Sequence, residues 1–168
     1  MSRDAEHQAE VEAYEHVMSR LVGAYRGRIT RVCRTVKLTP PQLCALETIQ
    51  RLQRTKMSPL AEELNLSMGA ASTLIDRLVT RGLVARDADP VDRRAVYVSL
   101  SASGRDVLGA ACEARRGLVR QVFQALSPTE RTTLMQGLGL LADAWERVTE
   151  GTPEGSTAAP DGPGCLSS

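Results

Sequence analysis

Aromatic residues are scarce in this chain of 168 residues: one phenylalanine, one tryptophan and three tyrosines. Its core must therefore be built from Leu, Val, Ala and Ile, for which an apolar content of 42% is enough. Histidine is almost missing, with only His7 and His16. The four cysteines, Cys33, Cys44, Cys112 and Cys165, show no CxxC spacing. A Cys/His zinc site is not written here, no other metal site is expected, and the scattered thiols do not form a disulfide framework. Their plain reading is reduced cysteine in a cytosolic protein. No run approaches the roughly 18 apolar residues of a membrane span, and the polar, acidic start Met1–Glu10 does not read as a signal peptide. The expected compartment is the cytoplasm. There is no Gly-rich phosphate loop, no G-x-S-x-G elbow and no histidine pair at metal-ligand spacing, so an enzyme is not expected, nor any cofactor. Net charge is +1, and bulk charge lends nucleic-acid binding no support.

Local charge is less even. Residues 20–37 hold Arg20, Arg26, Arg28, Arg31, Arg34 and Lys37 and no acid. Such a block can meet phosphate or attract an anion; a solvated helix face is the bland alternative.

The most informative stretch is residues 67–100. Ser67 is a good N-cap, and Ala71, Leu74, Ile75, Leu78 and Val79 recur at helical spacing. The opposite face carries Gly69, Ala70, Ser72, Thr73, Asp76, Arg77 and Arg81. Its first half is small and hydroxylic, as suits close approach to another surface. Gly82 can end the helix in the left-handed conformation. Two strand-like runs follow, Leu83–Arg86 and the alternating Val96–Leu100. Between them, Asp87–Arg94 combines turn residues with two adjacent arginines. A helix followed by a hairpin with an arginine tip outlines a winged helix-turn-helix, a DNA-reading unit.

Upstream, a long helix is expected over 8–36, although Gly23 and Gly27 weaken it. Thr39-Pro-Pro-Gln42 has the form of a capping box with proline at N1, opening a helix to about Arg54. Lys56-Met57 reads as a short strand. Ser58-Pro59 starts a short helix over 60–64, and Asn65-Leu66 turns into Ser67, with Leu60, Ala61, Leu64 and Leu66 holding the two helices together. Downstream, Ser101 can cap a helix over about 102–125. Ser127-Pro-Thr-Glu130 is a second capping box, opening a last helix to about Thr149 with Leu134, Leu138, Leu141, Ala142 and Trp145 on one stripe.

The fold class is therefore mainly α with a small β-hairpin wing. Residues 37–101 form a winged helix-turn-helix domain, 1–36 and 102–149 a helical dimerisation region, and the Gly/Pro/Ser-rich 150–168 a disordered tail. The terminal helices carry more apolar surface than the small domain can cover. A two-fold homodimer built from them is the economical solution. It would present two reading helices to successive major grooves, roughly 34 Å apart, on an imperfect palindrome of double-stranded DNA.

The run Asp92-Arg-Arg94-Ala-Val-Tyr-Val-Ser-Leu-Ser101 resembles the wing signature of the MarR family of bacterial transcriptional regulators, Asp-x-Arg followed by a strand ending in Leu-Thr or Leu-Ser. The stretch Leu74-Ile-Asp-Arg-Leu-Val-x-Arg-Gly-Leu-Val84 is similar to that family's recognition helix and its exit. The resemblance spans roughly residues 10–148. It implies a homodimeric DNA-binding regulator, most simply a repressor of a nearby operon released by a small molecule. Residues 67–77 would enter the major groove. Ser67, Gly69 and Ala70 would lie close to DNA, Ser72 and Thr73 would bond base edges or phosphate, and Arg77 would reach phosphate or guanine. Asp76 can hold Arg77 or another arginine in place. By the resemblance, Arg94 extends into the minor groove and Asp92 orients it, while Arg93 and Arg86 face phosphate.

The family's effector pocket would fall near Tyr14, Met18, Val22, Tyr25, Leu43, Leu46, Leu108 and Cys112, with Arg26 or Arg28 pairing an anion; these apolar positions are equally good core positions. Two alternatives stand beside that reading. Cys33, between Arg31 and Arg34, suggests a cation-activated redox thiol, with Cys44 and Cys112 buried and inert. A winged helix used only for protein contacts is the other, which the paired arginines of the wing argue against.

Overall fold

A computed structural model describes residues 3–88 and 96–150. The wing residues Asp92, Arg93 and Arg94 and the tail expected to be disordered, but for Glu150, lie outside the described residues. Helix α1 spans Arg3–Thr35, α2 Pro40–Leu52, α3 Met57–Glu63, α4 Met68–Thr80, α5 Ala102–Gln124 and α6 Pro128–Glu150. Strands β1 (Arg54–Lys56), β2 (Val84–Ala88) and β3 (Val96–Leu100) complete the chain order. The residues divide into two compact units, one reaching to Arg115 and a second beginning at Arg116.

The element starts follow their side-chain chemistry. Thr39 and Gln42 form the expected reciprocal capping box at α2, with proline in its first turn. Ser67 Oγ accepts from the Ala70 amide at α4. Ser127 and Glu130 reproduce the box at α6. Helix α3 differs from expectation. It starts at Met57, and Lys56 occupies the N-cap position without a side-chain bond, so Ser58 lies inside the first turn. Packing of Leu60 and Ala61, both buried, holds this short helix. Leu66, expected to join the two helices, is 37% exposed. Asn65 takes a positive φ of 51° there, which asparagine tolerates, and the Leu66 amide then bonds the Ala61 carbonyl at 2.9 Å.

The hairpin is one part of a three-stranded antiparallel sheet in the order β1-β3-β2. Thr55 pairs with Val98, and Val98 with Arg86; Lys56 pairs with Tyr97, and Tyr97 with Asp87. Thr55, Val98 and Leu100 are buried on one face, against a core that includes Leu46, Ile49, Leu60, Ile75 and Leu78. Helix α5 enters that core through Leu108 and Ala111. Gly82 has φ of +69° where α4 ends, as expected. Gly104 has a different role: a Cβ there would lie 2.0 Å from the Leu83 carbonyl oxygen. Ser101 completes this joint, its hydroxyl donating to the Gly82 carbonyl at 2.6 Å and accepting from the Gly104 amide at 2.9 Å.

In the second unit, Arg131 Nε donates to the Phe123 carbonyl at 2.6 Å, tying the start of α6 to the end of α5. The apolar stripe expected on α6 is largely uncovered: Leu138 is 43% and Trp145 55% exposed, and Ala142 is exposed too.

Candidate nucleic-acid interface

Helix α4 buries Ala71, Ile75 and Leu78 and leaves its other side open. Ser67, Gly69, Ala70, Thr73, Asp76, Arg77 and Arg81 are exposed on that side, and Ser72 is half-buried. The structure thus brings together the residues expected to face DNA on α4. Their hydrogen-bonding capacity is partly committed. Ser67 Oγ accepts the Ala70 amide and keeps its own proton to donate. The Thr73 hydroxyl donates to the Gly69 carbonyl at 2.9 Å, which leaves its oxygen as an acceptor. A Cβ added at Gly69 would meet open space, so no described residue obstructs approach there.

The charges on this surface are ordered. Arg86, expected to face phosphate, forms an ion pair with Asp76 across the α4–β2 joint. Asp76 therefore holds an arginine in place, and that arginine is Arg86 rather than Arg77. Arg77 has no side-chain partner among the described residues. Arg81 Nη1 donates to Gln42 Oε1 at 3.4 Å, linking the end of α4 to the first turn of α2. Gln42, Thr73, Asp76, Arg77, Thr80 and Arg81 line one shallow cleft of about 480 Å³.

Between α2 and α5 lies a feature the sequence reading missed. Arg115 Nη1 donates to Glu47 Oε1 at 2.7 Å, with both side chains largely buried. Desolvation pushes the Glu47 carboxyl above its ordinary value, and Arg115 offsets only part of that. Arg115 Nη2 also reaches Cys112 Sγ at 4.0 Å. The contact spans 68 residues of sequence, and no local periodicity signals it. A second missed feature is the solvent face of the sheet, where the Arg54 guanidinium stands 3.9 Å from the Tyr97 ring centre and the Lys56 ammonium 5.6 Å from it. Only the cross-strand register brings these three together.

The effector-pocket residues are not gathered into one lining. Leu46 is completely buried, whereas Tyr14 is 38% exposed and Arg26 is exposed as well. Met18, Tyr25 and Cys112 are half-buried. Cys33 does not fit the redox reading. It is 1% exposed, and burial, with the Glu47 carboxylate adding to it, pushes its thiol up rather than down. Arg31 and Arg34 are exposed while Cys33 faces the core, so sequence adjacency did not become contact. Cys44 and Cys112 are half-buried rather than buried.

A sequence profile of the MarR family matches residues 38–96, the segment from the start of α2 into β3. The regulator YwhA of Bacillus subtilis, an uncharacterized HTH-type transcriptional regulator, is 30% identical over 97 residues, covering 58% of this chain and 70% of YwhA. The chain belongs to the MarR family. That family is one of transcriptional regulators, not an enzyme class. The transcriptional repressor MdtR of B. subtilis is 27% identical over 109 residues, covering 65% of this chain and 70% of its own length. Among solved structures, a mutant MepR of S. aureus bound to an oligodeoxyribonucleotide shares the fold with a TM-score of 0.65 at 17% identity, over 79% of this chain and 97% of that one. Within this MarR-family chain, the profile match ends at Val96, so it covers α4 and both flanks of the wing.

Proposed function

We propose that this regulator is a homodimeric, sequence-specific DNA-binding repressor of a nearby operon, released by a small-molecule effector. The observation that carries the reading is the open face of α4, where Ser67, Gly69, Ala70, Thr73 and Arg77 are exposed together beside a paired β2–β3 ribbon. A helix of this shape fits the major groove, and small residues at its start allow the backbone close to base edges. Ser72 serves base edges or phosphate, and Thr73, whose proton is engaged by the Gly69 carbonyl, serves as an acceptor for base edges. In the sequence Asp92, Arg93 and Arg94 fall between the two paired strands, and by the family signature they serve an adjacent minor groove and its phosphates. The similar repressor MdtR, and MepR, which shares the fold and is bound to an oligodeoxyribonucleotide, support this reading.

Dimerisation rests on uncovered apolar surface. In α1, Val11, Tyr14, Val17 and Leu21 are 38–57% exposed. In α6, Met135, Leu138 and Leu140 are 43–71% exposed. Two-fold pairing of a second copy over such faces removes them from water. The effector in this reading sits near Tyr25, Cys112 and the neighbouring Arg115–Glu47 pair, where a half-buried guanidinium can meet an anionic group; Tyr14, Met18, Arg26 and Leu46, the other sequence candidates, do not share one lining with them.

Genome-wide capture of DNA fragments by the purified protein, repeated across a salt series, tests the function. Enrichment of one imperfect palindrome with half-sites about one helical turn apart is the expected result. On that site, Arg94→Ala should weaken binding at least tenfold while sedimentation still reports a dimer. Unchanged affinity would refute the wing assignment.

A further inference from the structure

We propose that the cleft between the first turn of α2 and the C-terminal half of α4 is a clamp for a single DNA backbone phosphate, with Arg77 and Arg81 as its cationic jaws. Arg86 acts in it only indirectly, by silencing Asp76. The proposal rests on the DNA-binding reading above and adds to Arg77 the roles of Arg81, Gln42 and the Asp76–Arg86 pair.

The cleft contains two guanidinium groups, two hydroxyls, one amide and one carboxylate. Left alone, Asp76 would repel an anion there. Its ion pair with Arg86, which reaches in from β2, cancels that charge. Two guanidiniums are then left to act on whatever enters. Arg77 is exposed and has no side-chain partner among the described residues. Arg81 is steered by a neutral partner: Gln42 Oε1 accepts from it at 3.4 Å while also accepting the Thr39 amide at 2.9 Å. The capping box that starts α2 thus fixes the group that aims Arg81. The hydrogen bond uses one of Arg81's five N–H donors, so the fork remains available to a phosphate oxygen. Thr80 donates to the Asp76 carbonyl and Thr73 to the Gly69 carbonyl, so both hydroxyl protons are already engaged. An acceptor-rich anion is therefore met by the arginines and not by the threonines. The position fits a backbone contact. The cleft shares Thr73 with the open face of α4 and runs along that helix's C-terminal half, beyond Gly69 and Ala70 at its start.

A phosphate contact is independent of sequence, so the probe is a 30-base-pair duplex of random sequence, with affinity measured from 50 to 300 mM NaCl. Each neutralised phosphate contributes about 0.9 to the slope of log K against log salt. Arg77→Ala/Arg81→Ala should lower the slope by about 0.9 in total, with the melting temperature unchanged because both side chains are on the surface. A loss of roughly 1.8 would mean two separate phosphates and would overturn the clamp. An unchanged slope in a protein that still binds the duplex would overturn it too, leaving the DNA-binding reading intact. A wild-type protein that shows no salt-dependent binding to any duplex would sink both. Arg81→Lys should keep the slope. The part assigned to Arg86 is read separately. Arg86→Ala should weaken binding at low salt by roughly fivefold, the scale of one like-charge contact in water. Asp76→Asn/Arg86→Ala should return it to within twofold of wild type. A double variant as weak as Arg86→Ala alone would show that Arg86 touches DNA itself.

Discussion

The winged core and the terminal helices are built from the same few apolar residue types, yet they place them differently. In the core, Leu46, Ile49, Leu60, Ile75, Leu78 and Val98 are completely buried. Along α1, no described side chain before Val32 is buried, and in the second unit none is buried between Arg116 and Val148. A domain that closes on itself draws its stability from its own packing. Helices that leave Val17 at 57% and Leu140 at 71% exposure do not. In the proposed dimer, their stability depends on a second chain and therefore on protein concentration. Mutations should separate along this line: core changes should lower stability at every concentration, and changes to the terminal helices should alter the concentration dependence itself.

The largest effect is expected at Gly104, on the core side. A methyl group there meets the Leu83 backbone carbonyl, which cannot swing aside as a side-chain end can. Gly104→Ala should cost about 1–3 kcal/mol through overpacking, seen as a fall in melting temperature that does not vary with protein concentration. A wild-type melting temperature would mean that α5 approaches the α4–β2 turn less closely than described. The next effect lies on the other side. Leu138→Glu leaves no cavity, because the side chain is 43% exposed, but it puts a charge on the face assigned to the partner copy. The expected outcome is a monomer by sedimentation, an intact far-ultraviolet helical signal and operator binding weakened more than tenfold. A variant that stays dimeric would move the interface off this stripe of α6.

The same division explains what the sequence disclosed. The caps read at Thr39, Ser67, Ser101 and Ser127 form as read, because a cap joins residues three apart, whereas the start read at Ser58 moved to Met57. The open face of α4 was legible for a similar reason, since helical periodicity fixes which residues lie opposite Ala71, Ile75 and Leu78. Long-range contacts were not. Asp76 could be seen to need an arginine, but only the β2–β3 register selects Arg86. Nothing near Glu47 points to Arg115, and nothing near Arg54 points to Tyr97. Cys33 shows how adjacency misleads: its neighbours in sequence are cations, but a helix turns about 100° per residue, which carries them to solvent and the thiol inward. The roles given to Asp92, Arg93 and Arg94 on the wing come from a family signature rather than from periodicity, and they wait on the Arg94→Ala measurement.

The smallest effect concerns how α6 is held at its start. Glu130 accepts from the Ser127 amide at 2.8 Å and from the Ser127 hydroxyl at 2.7 Å, and these bonds hold its carboxyl below the usual value of 4.5. A carboxyl with a depressed value in the folded chain binds its proton more readily when unfolded. Its contribution is therefore present above about pH 4.5 and is lost as pH falls through the lower folded value. Because the group sits on the surface, the effect is local and modest. Ser127→Ala removes the hydroxyl that makes the strongest of these bonds, so the Glu130 carboxyl should titrate closer to its ordinary value. Carbon-detected NMR titration of the Glu130 carboxyl should show the midpoint rising in the variant, with no comparable change at Glu47. A midpoint that stays where it is would mean that the backbone amide alone sets it, and that the hydroxyl serves only to cap the Glu130 amide.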